Sequence, residues 1–244
     1  MSSISWYSGY KKKIKKTVLL KQLLIIYIIS LCLTLLINHF ICQTYRVLSS
    51  SMEPLLSENV NILIDKGVIN KYLTGLNVKN KDNSFNYKRG DVIVFNGINY
   101  NNDNMLLSFL DKLVFLATFR MFDLNRKLSK LDGQAEYYVK RIIGIPKDKI
   151  EYKIINDKVK VYINGYYEKD MVPVEYNINE IDLNFFSEQL IHFPFIVPDD
   201  QYFVLGDNRN KSSDSREWGC VEKQKILGKV ILKYWPLSKA GVVK

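Results

Sequence analysis

Residues 22–42 read QLLIIYIISLCLTLLINHFIC, an apolar stretch interrupted by Gln22, Ser30, Thr34, Asn38 and His39. In lipid every backbone amide and carbonyl must be satisfied within the segment, so a stretch of this kind has to be helical. Twenty-one helical residues rise about 31 Å, close to the thickness of a bilayer's hydrocarbon core. Five lysines, Lys11, Lys12, Lys13, Lys15 and Lys16, precede the run, Lys21 can snorkel to the headgroups, and only Arg46 follows closely. That asymmetry predicts a cytoplasmic N-terminus and an external body. A cleaved signal peptide is the competing reading. Its apolar region is normally shorter, and Phe40-Ile41-Cys42-Gln43 offers no small-x-small site, so an uncleaved anchor is expected.

The expected organisation is a basic cytoplasmic N-terminus over 1–20, a transmembrane anchor over 21–42 and an extracytoplasmic domain over 43–244. Some 200 residues outside the anchor suit one β-rich domain with inserts. The net charge of +10 favours acidic partners, nucleic acid or anionic lipid. No zinc finger, recognition helix or aromatic-basic groove pattern is present, so nucleic acid is not an expected partner, and the lipid bilayer is. Two of the three cysteines, Cys32 and Cys42, fall in the apolar run, leaving Cys220 alone in the body. No disulfide framework, structural metal or organic cofactor is expected.

Beyond the anchor the pattern is β. Strands are expected at 60–64, at 92–95 after an Arg89-Gly90 turn, at 137–145, 201–205 and 226–234. A hairpin is expected from 149–155 and 158–163 across Asn156-Asp157, with a second turn at Asn164-Gly165. Two inserts break the pattern, near 97–136 and 168–198. Within the first, 105–124 has a narrow polar stripe at helical spacing. This suits an amphipathic helix, packed on the body or lying on the membrane.

Only two histidines exist, His39 in the apolar run and His192 in an insert, so a Ser-His-Asp triad has little support. A lysine can replace histidine as base if burial lowers its pKa from about 10.4 toward neutrality. Lys140 sits inside the apolar run Tyr138-Val139-Lys140-Arg141-Ile142-Ile143, where alternation can turn it inward and leave Arg141 on the opposite face. Taken alone, a strand lysine is ordinarily solvated and Ser51-Met52-Glu53-Pro54 is commonplace.

Four blocks together are not. Ser51-Met52-Glu53-Pro54, Arg89-Gly90-Asp91-Val92-Ile93-Val94-Phe95, Lys140-Arg141-Ile142-Ile143-Gly144-Ile145-Pro146 and Gly206-Asp207-Asn208 through Ser212-Ser213-Asp214-Ser215-Arg216 follow an apolar anchor in that order. Over about 190 residues they closely resemble the bacterial type I signal peptidases. The resemblance implies a mainly β fold: a large antiparallel β-sheet catalytic body with an inserted smaller domain, preceded by one transmembrane helix. It also implies a serine endopeptidase that removes signal peptides from secretory preproteins after Ala-x-Ala-like sites.

By the same resemblance, Ser51 matches the nucleophile and Lys140 the general base. Ser49 and the Ser51 backbone N–H match the oxyanion donors, and Ser212 matches the serine that orients the lysine. Asp214 and Arg216 match a loop-fixing ion pair, with Gly206, Asp207 and Asn208 as structural turn residues. Met52, Leu56, Tyr138 and Val139 match positions lining shallow substrate pockets. The location implied is a bacterial plasma membrane, near the protein-export channel. Ser51 follows Cys42 by nine residues, a reach of at most about 32 Å, which keeps it near the outer headgroups. The chain departs from the pattern at Leu48, Leu55, Lys147 and Asn210-Lys211, where members often have Pro, Thr, Gly and Asp-Asn. The alternative is an inactive membrane-tethered scaffold of the same fold; intact Ser51 and Lys140 argue against it.

Overall fold

The computed structural model describes residues 16–34, 41–67, 87–97, 137–172, 174, 176, 178, 180–182 and 194–243. Helix α1, Lys16–Thr34, is apolar and long enough to cross a membrane, and none of it is buried against the body. Its described residues include Lys16 to Lys21, ahead of the apolar run. Cys42, expected to end the anchor, instead opens strand β1 (Cys42–Arg46). The amphipathic segment 105–124 and both histidines lie outside the described residues.

Among the described residues, thirteen strands form two antiparallel sheets. The larger orders β1, β2 (Asn61–Asp65), β12 (Ile226–Trp235), β3 (Val92–Asn96), β4 (Tyr137–Gly144), β10 (Gln201–Leu205) and β11 (Val221–Glu222), with β13 (Gly241–Val242) paired to β12. The smaller orders β7 (Tyr166–Tyr167), β6 (Lys158–Ile163), β5 (Lys149–Ile155) and β9 (Phe195–Ile196), with β8 (Ile181–Asp182) also on β6.

Local chemistry explains the small sheet. Asn156 and Asn164 both tolerate positive φ, and each is followed by a second positive-φ residue, Asp157 or Gly165. Two such residues in succession give the turn whose twist matches a hairpin. Strand β6 then alternates, burying Val159, Val161 and Ile163. Each such side chain contributes about 2 kcal/mol relative to staying exposed.

The large sheet is covered on both faces near its centre. Val92 and Val94 of β3 pack with Met52, Leu56 and Val139. Ile93 and Phe95 pack on the other face with Ile142, Tyr202 and Val204. In register, Ile93 lies opposite Lys140 and Val92 opposite Arg141. Both basic residues of β4 are therefore buried, at 3% and 1% exposure. Arg141, on the face opposite Lys140, is buried because Tyr176 of the second insert and Asp207 of the 206–216 loop cover it. Helices α2 (Glu168–Met171) and α3 (Ser215–Trp218) are single turns beside that loop.

Candidate active site

Ser51 lies in the irregular turn between β1 and β2, closed by the Leu56 amide donating to the Met52 carbonyl. That turn tucks Met52 and Leu56 inward and leaves the Ser51 hydroxyl against β4. Lys140 Nζ and Ser51 Oγ stand 2.8 Å apart in a buried contact. Ser49 Oγ stands 3.1 Å from Ser51 Oγ. Burial lowers the Lys140 pKa to about 8, with Arg216 aiding and the Asp214 and Asp207 carboxylates opposing. An amine so placed is neutral in a substantial fraction of molecules near pH 8, and a neutral amine can accept the Ser51 proton.

The loop after β10 holds this pair from below. Asn208 N–H donates to the Ser51 carbonyl at 3.0 Å and its side-chain amide to the Ser50 carbonyl at 3.2 Å. Gly206 does not have positive φ; its need for glycine is spatial. A Cβ there would lie 2.6 Å from the Ser51 carbonyl oxygen and 2.5 Å from Ser212 Cβ, and would strike Ser212 Oγ. Gly206 is thus a close-approach residue rather than the turn residue expected.

Asp214 and Arg216 form the expected ion pair, Nε to Oδ1 at 2.7 Å and Nη2 to Oδ2 at 2.9 Å. Asp214 also accepts from Gly206 N–H at 3.0 Å. Burial alone would raise the Asp214 pKa. Arg216, with help from Gly206 N–H, holds it below the usual value. Arg216 Nη2 further donates to the Arg209 and Ser212 carbonyls. Asp207 takes a bidentate pair from Arg141, both distances 2.9 Å.

Ser212 Oγ, expected to face the lysine amine, is buried and makes no hydrogen bond of good geometry. Ser212 packs into the space left by Gly206. Met52 and Leu56, matched to pocket positions, are 0% exposed and pack in the core. Val139 keeps 8%, and Tyr138 is half-buried beside Phe95 and Trp218.

Sequence reasoning missed a second ionic layer beneath the loop. Arg209 and Glu168 are buried as a pair, and the Tyr176 hydroxyl meets both Asp207 and Arg141. Arg209 directly follows Gly206-Asp207-Asn208 and could have been flagged. Nothing in the pattern around Glu168 or Tyr176 marks them. Among the described residues no cluster of His, Cys, Asp and Glu fits a metal ion.

Residues 20–235 match a family model described as signal peptidase, peptidase S26. The chain belongs to this family. It is a serine peptidase. Signal peptidase IB of Staphylococcus aureus is 28% identical over 232 residues, covering 90% of this chain and 94% of the relative. A protein of Synechocystis described as "Probable signal peptidase I-2" is 29% identical over 209 residues, covering 85% and 69%. A crystal structure of a signal peptidase I from Enterococcus faecalis is 23% identical, covers 60% of this chain and 97% of that one, and has a TM-score of 0.33. That is too loose a likeness to bear on the fold.

Proposed function

We propose that this S26 peptidase removes signal peptides with Ser51 as nucleophile and Lys140 as general base. The observation that carries the reading is the buried 2.8 Å contact between the two side chains, with the lysine pKa brought down to about 8.

Ser51 Oγ attacks the scissile carbonyl carbon while the neutral Lys140 amine takes the hydroxyl proton. The tetrahedral oxyanion is bound by the Ser51 backbone N–H and the Ser49 hydroxyl. Collapse breaks the C–N bond. The Lys140 ammonium gives its proton to the departing amine, leaving an ester on Ser51. Lys140, neutral again, takes a proton from water, whose oxygen attacks the ester. The acid product leaves and Ser51 regains its proton.

Cleavage follows small-x-small sites. Tyr138 and Val139 stay near the base with some surface free. Helix α1 spans a bacterial plasma membrane with its basic end inside. The body sits on the outer face, close to where preproteins leave the export channel. Strand β1 starts at Cys42, so the link from α1 to the nucleophile turn is short and the site stays near the headgroups.

The test is cleavage of a preprotein bearing an Ala-x-Ala site by the full chain in detergent micelles. Wild type is expected to cut after the second alanine, and Ser51→Ala and Lys140→Ala to lose at least about a thousandfold in rate. Cleavage retained in either variant would overturn the assignment of that residue.

A further inference from the structure

Glu168 opens α2 in the small-sheet part of the molecule and is 3% exposed. Its carboxylate meets both terminal nitrogens of Arg209, Oε2 accepting from Nη1 at 2.7 Å. Arg209 uses its remaining donor nitrogen, Nε, on the Gly206 carbonyl at 3.0 Å. Its own carbonyl accepts from Arg216 at 2.7 Å. A buried ion pair is a poor way to hold a fold together, since desolvation consumes most of its attraction and apolar side chains of similar volume often serve as well. A guanidinium can do one thing those side chains cannot: aim a directed N–H at a chosen carbonyl.

The carbonyl chosen here belongs to the residue on which Ser51 rests. Asp214 holds the Gly206 N–H and Arg209 its C=O, so the peptide groups on both sides of that Cα are fixed. The Cα is also the one that no side chain can occupy without striking Ser212 and the Ser51 carbonyl. We propose that Glu168 is a positioning residue for peptide cleavage. By orienting Arg209 on the Gly206 carbonyl, it sets the height of the Ser51 backbone against Lys140. The second insert thereby contributes to the site through a residue 117 positions after the nucleophile. This rests on the Ser51–Lys140 reading.

The test compares kcat, KM for an Ala-x-Ala preprotein and the thermal midpoint, using the full chain in detergent. Glu168→Gln is expected to lower the midpoint and cut kcat at least about tenfold, with KM within about twofold. The double variant Glu168→Leu/Arg209→Met removes both charges. It is expected to recover the midpoint and leave kcat depressed, because the N–H on Gly206 is gone. Recovery of both would make the pair ordinary structural support and overturn the proposal, as would wild-type kcat in Glu168→Gln. If the double variant does not fold, Glu168→Asp decides. It keeps the charge but draws it back, and is expected to lose kcat with unchanged circular dichroism; unchanged kcat overturns the proposal. Wild-type cleavage that persists in Ser51→Ala would instead remove the dyad reading, a failure visible before any Glu168 variant is compared.

Discussion

Replacing Lys140 with methionine should abolish catalysis and stabilise the protein at neutral pH. The lysine pKa falls from 10.5 unfolded to about 8 folded. Between those values the unfolded chain binds the extra proton, so the lysine's contribution to stability rises with pH across this window. Below pH 8 both states carry the charge, and the folded state bears the full burial penalty. Some 2.5 units at 1.36 kcal/mol each make that penalty about 3 kcal/mol. Methionine has similar length and no charge, but forfeits the bond to Ser51, about 1 kcal/mol. Lys140→Met is therefore expected to be about 2 kcal/mol more stable than wild type at pH 6–7, a rise in Tm of about 4–8 °C for a body of this size. The advantage should shrink from pH 8 upward and reverse by about 1 kcal/mol near pH 10.5. Denaturation of the full chain in detergent at pH 6, 7, 8, 9 and 10.5 measures it. Other titrating groups are common to both proteins and cancel in the difference. A difference that does not vary with pH would mean the amine is solvated in the folded state, and the reasoning fails.

Two further substitutions probe the surroundings. Gly206→Ala should cost about 1–3 kcal/mol of stability and at least about a hundredfold in kcat, because the new methyl must displace the Ser51 carbonyl or Ser212; preprotein kinetics and a thermal melt check both. Lys147 holds φ at +74° with an exposed side chain, a conformation that glycine adopts at no steric cost. Lys147→Gly should raise stability by about 1 kcal/mol and leave cleavage unchanged, measured by denaturant titration.

Legibility in the sequence followed the range of the interaction. The 149–163 hairpin was readable to the residue, since alternation and paired Asn-Asp and Asn-Gly turns act between neighbours. Strand β1 was not, because CQTYR carries no apolar alternation and only its pairing with β2 makes it a strand. Cys42, which opens β1, was equally illegible as a strand residue, since it is apolar enough to continue a helix on composition alone. Ser51 and Lys140 are 89 residues apart, and no spacing rule joins them. They were found through four ordered blocks resembling a known family. That resemblance also implied a role for Ser212, whose close packing against Gly206 no local pattern announces. Glu168 lay beyond reach because a carboxylate that will meet a buried arginine looks like any other surface glutamate until the chain is folded.

The dependence of preprotein kcat/KM on pH tests the neutral-lysine mechanism most directly. With Lys140 at about 8, only about a tenth of molecules hold the neutral amine at pH 7. The rate should therefore rise about tenfold per pH unit below 7 and level off above about 8.5. A profile flat from pH 6 to 9 would contradict the account.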